Sequence, residues 1–93
     1  MTGNPVVTLN RAVAVGMVSG PAAGLEVVAQ VEPRLPDHPR LLAVRAHLHE
    51  LGGDADAAYA DLRAAAALTT NRRERDHLVT QAARLRRDSG PGA

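Results

Sequence analysis

The sequence has no cysteine, no lysine and a single aromatic residue, Tyr59. Without cysteine there are no disulfides and no thiolate metal sites. With one aromatic ring among 93 residues, a core cannot rest on large aromatic burial and must come from close packing of small side chains. No apolar run approaches the ~20 residues that a membrane-spanning helix needs. The N-terminus lacks the basic-then-apolar order of a secretory signal, so a cytoplasmic location is the expectation. The length suits one small domain, expected over residues 1–88, with 89–93 as a disordered tail.

Charge is nearly balanced but unevenly spread. Residues 1–70 hold five arginines against seven acids, a balance of −2, whereas residues 71–93 hold six arginines against three acids, a balance of +3. The last segment is mildly basic. It falls short of the dense footprint of a nucleic-acid binder, and it has no aromatic residue for base stacking.

What is present is a repeat. Sliding the sequence by thirty-four places Pro5 on Pro39, Arg11 on Arg45, Ala12 on Ala46 and Met17 on Leu51. The second half agrees, with Gly24 on Ala58, Val28 on Leu62 and Val31 on Ala65. A period of about 34 with two helices per unit is the tetratricopeptide length. Leu41, Val44, Leu48 and Leu51 follow the spacing of one helix face. The matching segment 5–18 is therefore helical too, although Ala12-Val13-Ala14-Val15 alternates like a strand.

The expected architecture is all-α: tetratricopeptide-like helical hairpins, about five antiparallel helices in two repeats plus a capping helix. Helix 1 covers about Pro5–Val18 with Asn4 as its cap, and helix 2 about Pro21–Glu32. Pro33 and Pro36 mark a loop, since proline disfavours helical geometry in the residue before it. Helix 3 runs over about Pro39–Leu51 behind Asp37 or His38, and Gly52-Gly53 supplies positive φ at its end. Asp54 caps helix 4, about Ala55–Thr69. Asn71 and Glu74 form a capping box for helix 5, which ends near Arg87. Small residues at Ala12, Gly24, Ala46 and Ala58 let the helices cross closely. Leu78, Ala82 and Leu85 are the buried stripe through which helix 5 caps the solenoid.

Three stretches carry a resemblance: "NPVVTLNRAVAVGMVSGPAAGL" (4–25), "AVRAHLHELGGDADAAYADLRAAAAL" (43–68) and "TNRRERDHLVTQAARL" (70–85). Together they resemble the C-terminal extension of those bacterial extracytoplasmic function (ECF) sigma factors that end in a tetratricopeptide-like domain. "NPVVTLNRAVAV" followed by "GPAAGL" is the most specific part. The resemblance implies a non-enzymatic regulatory module that supports transcription initiation. Its implied partners are the sigma domains, core RNA polymerase or a regulatory protein. The polymerase-binding and promoter-reading domains of that family match nothing in these residues, so no direct nucleic-acid contact is implied.

Catalytic and metal chemistry find little support. His47 and His49 stand two apart and project roughly 200° apart on a helix. His38 and His77 fall in other segments, with no ligand spacing. Ser19 and Ser89 lie in no nucleophile elbow, and Asp54 and Asp56 sit in a helix's first turn, where acids are favoured anyway. The glycines at 16, 20 and 24 follow no strand and make no phosphate loop. No enzyme activity and no cofactor are expected.

Interaction residues are better candidates. Helix 1 is apolar almost all round, which predicts burial on more than one side. Either helices 3 and 4 cover it, or part of it faces a partner with Asn10 and Arg11 as the polar handle. Arg45, the counterpart of Arg11, and His47 lie on the helix type that lines a tetratricopeptide groove. An arginine there can grip a carboxylate bidentately, or it can pair with Glu50 or another neighbouring acid. Two and a half repeats sit near the lower limit for a free-standing solenoid, which leaves room for homodimerisation through helix 1. The alternative functional reading is a stand-alone tetratricopeptide adaptor for an unrelated peptide.

Overall fold

A computed structural model describes residues 4–88. The expected tail 89–93 lies outside them. The described chain forms α1 (Pro5–Ser19), α2 (Pro21–Val31), a 3-10 turn (Glu32–Arg34), α3 (Pro39–Leu51), α4 (Ala55–Leu68) and α5 (Arg72–Asp88), with no strand. The alternation at 12–15 is thus a helical segment.

Most helix starts follow local chemistry. The Asn4 side chain accepts from the Val6 N–H at 2.8 Å, with Pro5 at the first helical position. Asp54 accepts from Ala57 N–H at 3.1 Å and Asn71 from Glu74 N–H at 3.0 Å. Between Asp37 and His38 the structure selects the histidine, whose Nδ1 accepts from the Arg40 N–H at 3.1 Å. Asp37 instead takes φ 55, the left-handed conformation that a short polar side chain tolerates. A single residue, Gly20 at φ 103, joins α1 to α2. Its N–H donates to Gly16 O at 3.1 Å and closes α1, and a side chain would be strained there.

Three local expectations need correction. Glu32 stays helical (φ −56, ψ −42) in spite of Pro33. The chain tightens into a 3-10 turn closed by Leu35 N–H donating to Glu32 O at 3.0 Å. The Glu32 side chain also pairs with Arg45 at 3.2 Å. Of the two glycines ending α3, only Gly53 has positive φ (85). Only half of the capping box forms. The Glu74 carboxylate accepts from the Thr69 hydroxyl at 2.8 Å, and that oxygen accepts from the Asn71 N–H at 3.3 Å, so the link to Asn71 is relayed through Thr69.

The helices bury two clusters that share α3. On one side Leu41, Val44 and Leu48 of α3 meet Leu9 and Ala12 of α1 and Val28 and Val31 of α2. On the other, Leu42 and Ala46 of α3 meet Ala58, Leu62 and Ala65 of α4 and Leu78, Ala82 and Leu85 of α5. A helix apolar on two sides belongs in the middle, and that helix is α3. The expectation of two-sided burial for helix 1 is corrected here. α1 buries Leu9, Ala12 and Gly16, but Val7, Met17 and Val18 stand 62%, 67% and 86% exposed. It is the end of the row, with no helix beyond it among the described residues.

Four pairs of positions thirty-four apart share burial. Ala12 and Ala46, Gly24 and Ala58, Val28 and Leu62, and Val31 and Ala65 are all buried. The outline, 49 × 32 × 17 Å, is long and thin, as a row of hairpins gives. Alanine at the buried crossings sets the spacing between helices. Ala58→Leu, at a position fully shielded from solvent, is expected to cost about 1–3 kcal/mol by overpacking, read as a lower urea midpoint at unchanged m.

Candidate interaction surface

The four candidate residues do not form one site. Arg45 and His47, two apart on α3, point to different faces, so no single groove takes both. Arg45 turns toward α4 and the 3-10 turn. Its Nε donates to Asp61 Oδ2 at 2.9 Å, its Nη2 to Asp61 Oδ1 at 3.0 Å, and its Nη1 lies 3.2 Å from Glu32 Oε2. His49 Nε2 stands 3.8 Å from the same Asp61 oxygen. The partner acids are therefore Asp61 and Glu32, not Glu50. Hydrogen bonding to the accepting Asp61 carboxylate, opposed by burial and helped by the charges of Asp61 and Glu32, raises the Arg45 pKa above its ordinary value. The guanidinium is charged throughout the working pH range, and its bidentate grip is already used within the chain.

Asp61 was not singled out by sequence reasoning. Its signal was available: it lies three residues after Ala58 and four before Ala65, on the buried stripe of α4. An acid on such a stripe needs a cation opposite, and the Arg45 side chain supplies it. Each oxygen of Asp61 accepts one N–H from Arg45, so the carboxylate pins α4 to α3.

His47 faces a shallow cleft between α3, α1 and α5, lined among others by Val13, Arg40, Val44, Glu74 and His77. Asn10 joins this side through Arg40, whose Nη2 donates to Asn10 Oδ1 at 2.7 Å and ties α1 to α3. Arg40 and His47 line the cleft, and Asn10 reaches it only through this bond to Arg40. No group of three or more His, Cys, Asp or Glu residues able to hold a metal occurs among the described residues.

Arg11 is separate from both. It is exposed on α1 and makes no hydrogen bond or ion pair among the described residues. With Val7, Ala14 and Val18 it follows the i, i+4, i+7, i+11 spacing of a single stripe, all exposed. Four such positions, three of them apolar, make an uncovered edge on a small protein.

Arg72, Arg73, Arg75 and Arg84 of α5 are exposed. Arg86, also exposed, has its guanidinium carbon 5.0 Å from the centre of the Tyr59 ring, so the only aromatic residue of the sequence helps hold α5 against α4. No helix among the described residues is long and apolar enough to cross a membrane. No protein-family model matches the sequence, and neither a curated protein nor a solved structure matches it.

Proposed function

We propose that the chain is a non-enzymatic protein-interaction module of tetratricopeptide-like architecture, working as the C-terminal module of an ECF-type sigma factor in the cytoplasm. It supports transcription initiation through contacts with the sigma domains, core polymerase or a regulatory protein. The observation that carries the interaction reading is the bare edge of α1, where Val7, Met17 and Val18 lie exposed opposite the buried Leu9, Ala12 and Gly16. Shared burial at four pairs of positions thirty-four apart (Ala12 and Ala46, Gly24 and Ala58, Val28 and Leu62, Val31 and Ala65) supports the repeat architecture, and the sigma assignment rests on the sequence resemblance of residues 4–25, 43–68 and 70–85.

Adding the chain in trans to the corresponding sigma domains, in a transcription assay that depends on them, tests the assignment. Restored transcript, lost again with Val18→Asp, is the expected result. Unchanged transcription at saturating chain favours the adaptor reading instead. Retention of the chain on DNA with a steep salt dependence would speak against a purely protein-directed role.

A further inference from the structure

The row of helices ends differently at its two ends. Going back in steps of thirty-four, Leu78 and Ala82 of α5 correspond to Val44 and Leu48 of α3, and these to Asn10 and Ala14 of α1. In α5 and α3 both positions are buried against the preceding hairpin, whereas in α1 both are exposed. Leu41, buried, likewise steps back to Val7, exposed. At the other end, Leu42 and Ala46, which α3 buries against α4, correspond in α5 to Asp76 and Thr80, polar and exposed. Solenoid ends are closed by polar outer faces. The α5 end has one and the α1 end does not.

Charge follows the same register. Arg45 reaches back to Glu32, at the end of the preceding hairpin, and sideways to Asp61. Its counterpart Arg11 has Val27 where Arg45 has Asp61, and no described residue precedes it to play the part of Glu32. Arg11 is thus a cation at a position that, one unit later, receives a carboxylate from the neighbouring hairpin.

We propose that the outer face of α1 seats an amphipathic helix of a partner protein, which packs an aliphatic stripe on Val7, Ala14 and Val18 and brings a carboxylate near its C-terminal end to Arg11, as α2 and Glu32 do on α3. A second copy of the chain is a poorer occupant if α1 meets α1, because α1 carries no acid to offer Arg11. The proposal deepens the interaction reading and rests on it, but it does not require the sigma assignment. Loss of the in-trans transcription result would leave it standing.

The test supplies such a helix from known material. A copy of residues 4–37 is placed ahead of Asn4 in the full chain, so that its Asp37 leads into Asn4 as it natively leads into His38. The expected result is one cooperative transition with a midpoint higher by roughly 5 °C or more. Arg11→Ala, silent in the parent chain, should remove part of that gain, and so should Glu32→Gln in the added copy. Separate melting of the added unit, an unchanged midpoint, or an equal effect of Arg11→Ala in both chains would overturn the proposal. If the extended chain does not fold, a peptide of residues 20–36 is titrated onto the parent chain. Amide shifts at Val7, Arg11 and Val18 that weaken with the E32Q peptide support the proposal, and absence of shifts overturns it. A concentration-dependent dimer of the parent, abolished by Val18→Asp in sedimentation, would assign the face to a second copy and also overturn it.

Discussion

Leu48→Ala is expected to lower the unfolding free energy by about 3–5 kcal/mol, the upper part of the range for deleting a buried leucine. Leu48 is fully buried where α3 meets the α1–α2 hairpin. Opposite its Cδ2 stand Gly16 and Gly24, so a side chain built on either glycine would run into it. The leucine occupies the space that these glycines leave, and their bare backbones cannot swing inward to fill a cavity. Collapse would require α1 and α2 to shift together, held by the one-residue link at Gly20. Denaturant titration checks the magnitude, with Leu68→Ala, 42% exposed, as a control expected to stay within about 0.5 kcal/mol.

The same geometry predicts a change of sign. In the parent, Gly16→Ala is unfavourable because its new methyl meets Leu48 Cδ2 and no other atom closely. In the Leu48→Ala background that obstacle is gone, and Gly16→Ala becomes stabilising, since alanine exceeds glycine by about 1 kcal/mol in a helix. Gly24→Ala stays unfavourable in both backgrounds, because its Cβ would stand 2.8 Å from the Ala12 carbonyl oxygen. If Gly16→Ala kept the same sign in both chains, Leu48 would not be what fills this crossing.

The second large effect concerns Asp61. Asp61→Ala leaves the Arg45 guanidinium, 26% exposed, with Glu32, 50% exposed, as its remaining ion-pair partner. A fully buried charge stripped of its partner costs about 3–5 kcal/mol. Partial hydration of Arg45 reduces this, and a loss of about 2–3 kcal/mol is expected. The pair Arg45→Met with Asp61→Leu should recover most of it, because matched apolar groups avoid the desolvation cost. A double-mutant cycle measures the coupling, and additive single losses would mean the two side chains act independently. The pH sign is also determined. A raised pKa in the folded chain places Arg45's contribution fully below arginine's ordinary value, so alkaline titration within the working range does not remove it.

Much of the fold was legible because it rests on short-range rules. Caps at Asn4, Asp54 and Asn71 are local hydrogen bonds between a side chain and amides two or three residues on. The thirty-four-residue spacing marked the small residues at the crossings, and the stripe Leu78, Ala82 and Leu85 marked the buried face of α5. The interaction residues were less legible. Asn10 and Arg11 read as a polar handle on helix 1, and Arg45 and His47 as groove residues of helix 3, yet contacts come from residues far away: Arg40 for Asn10, and Asp61 with Glu32 for Arg45.

By itself, the sequence determined where helices start and stop and which positions of each are apolar, because capping and periodicity act within a few residues. Only the tertiary structure decided which apolar helix lies in the middle. α1 and α3 both have wide apolar surfaces, but α3 has hairpins on two sides while α1 has one. Burial is a property of neighbours, and so the same kind of surface becomes core in one helix and an open face in the other.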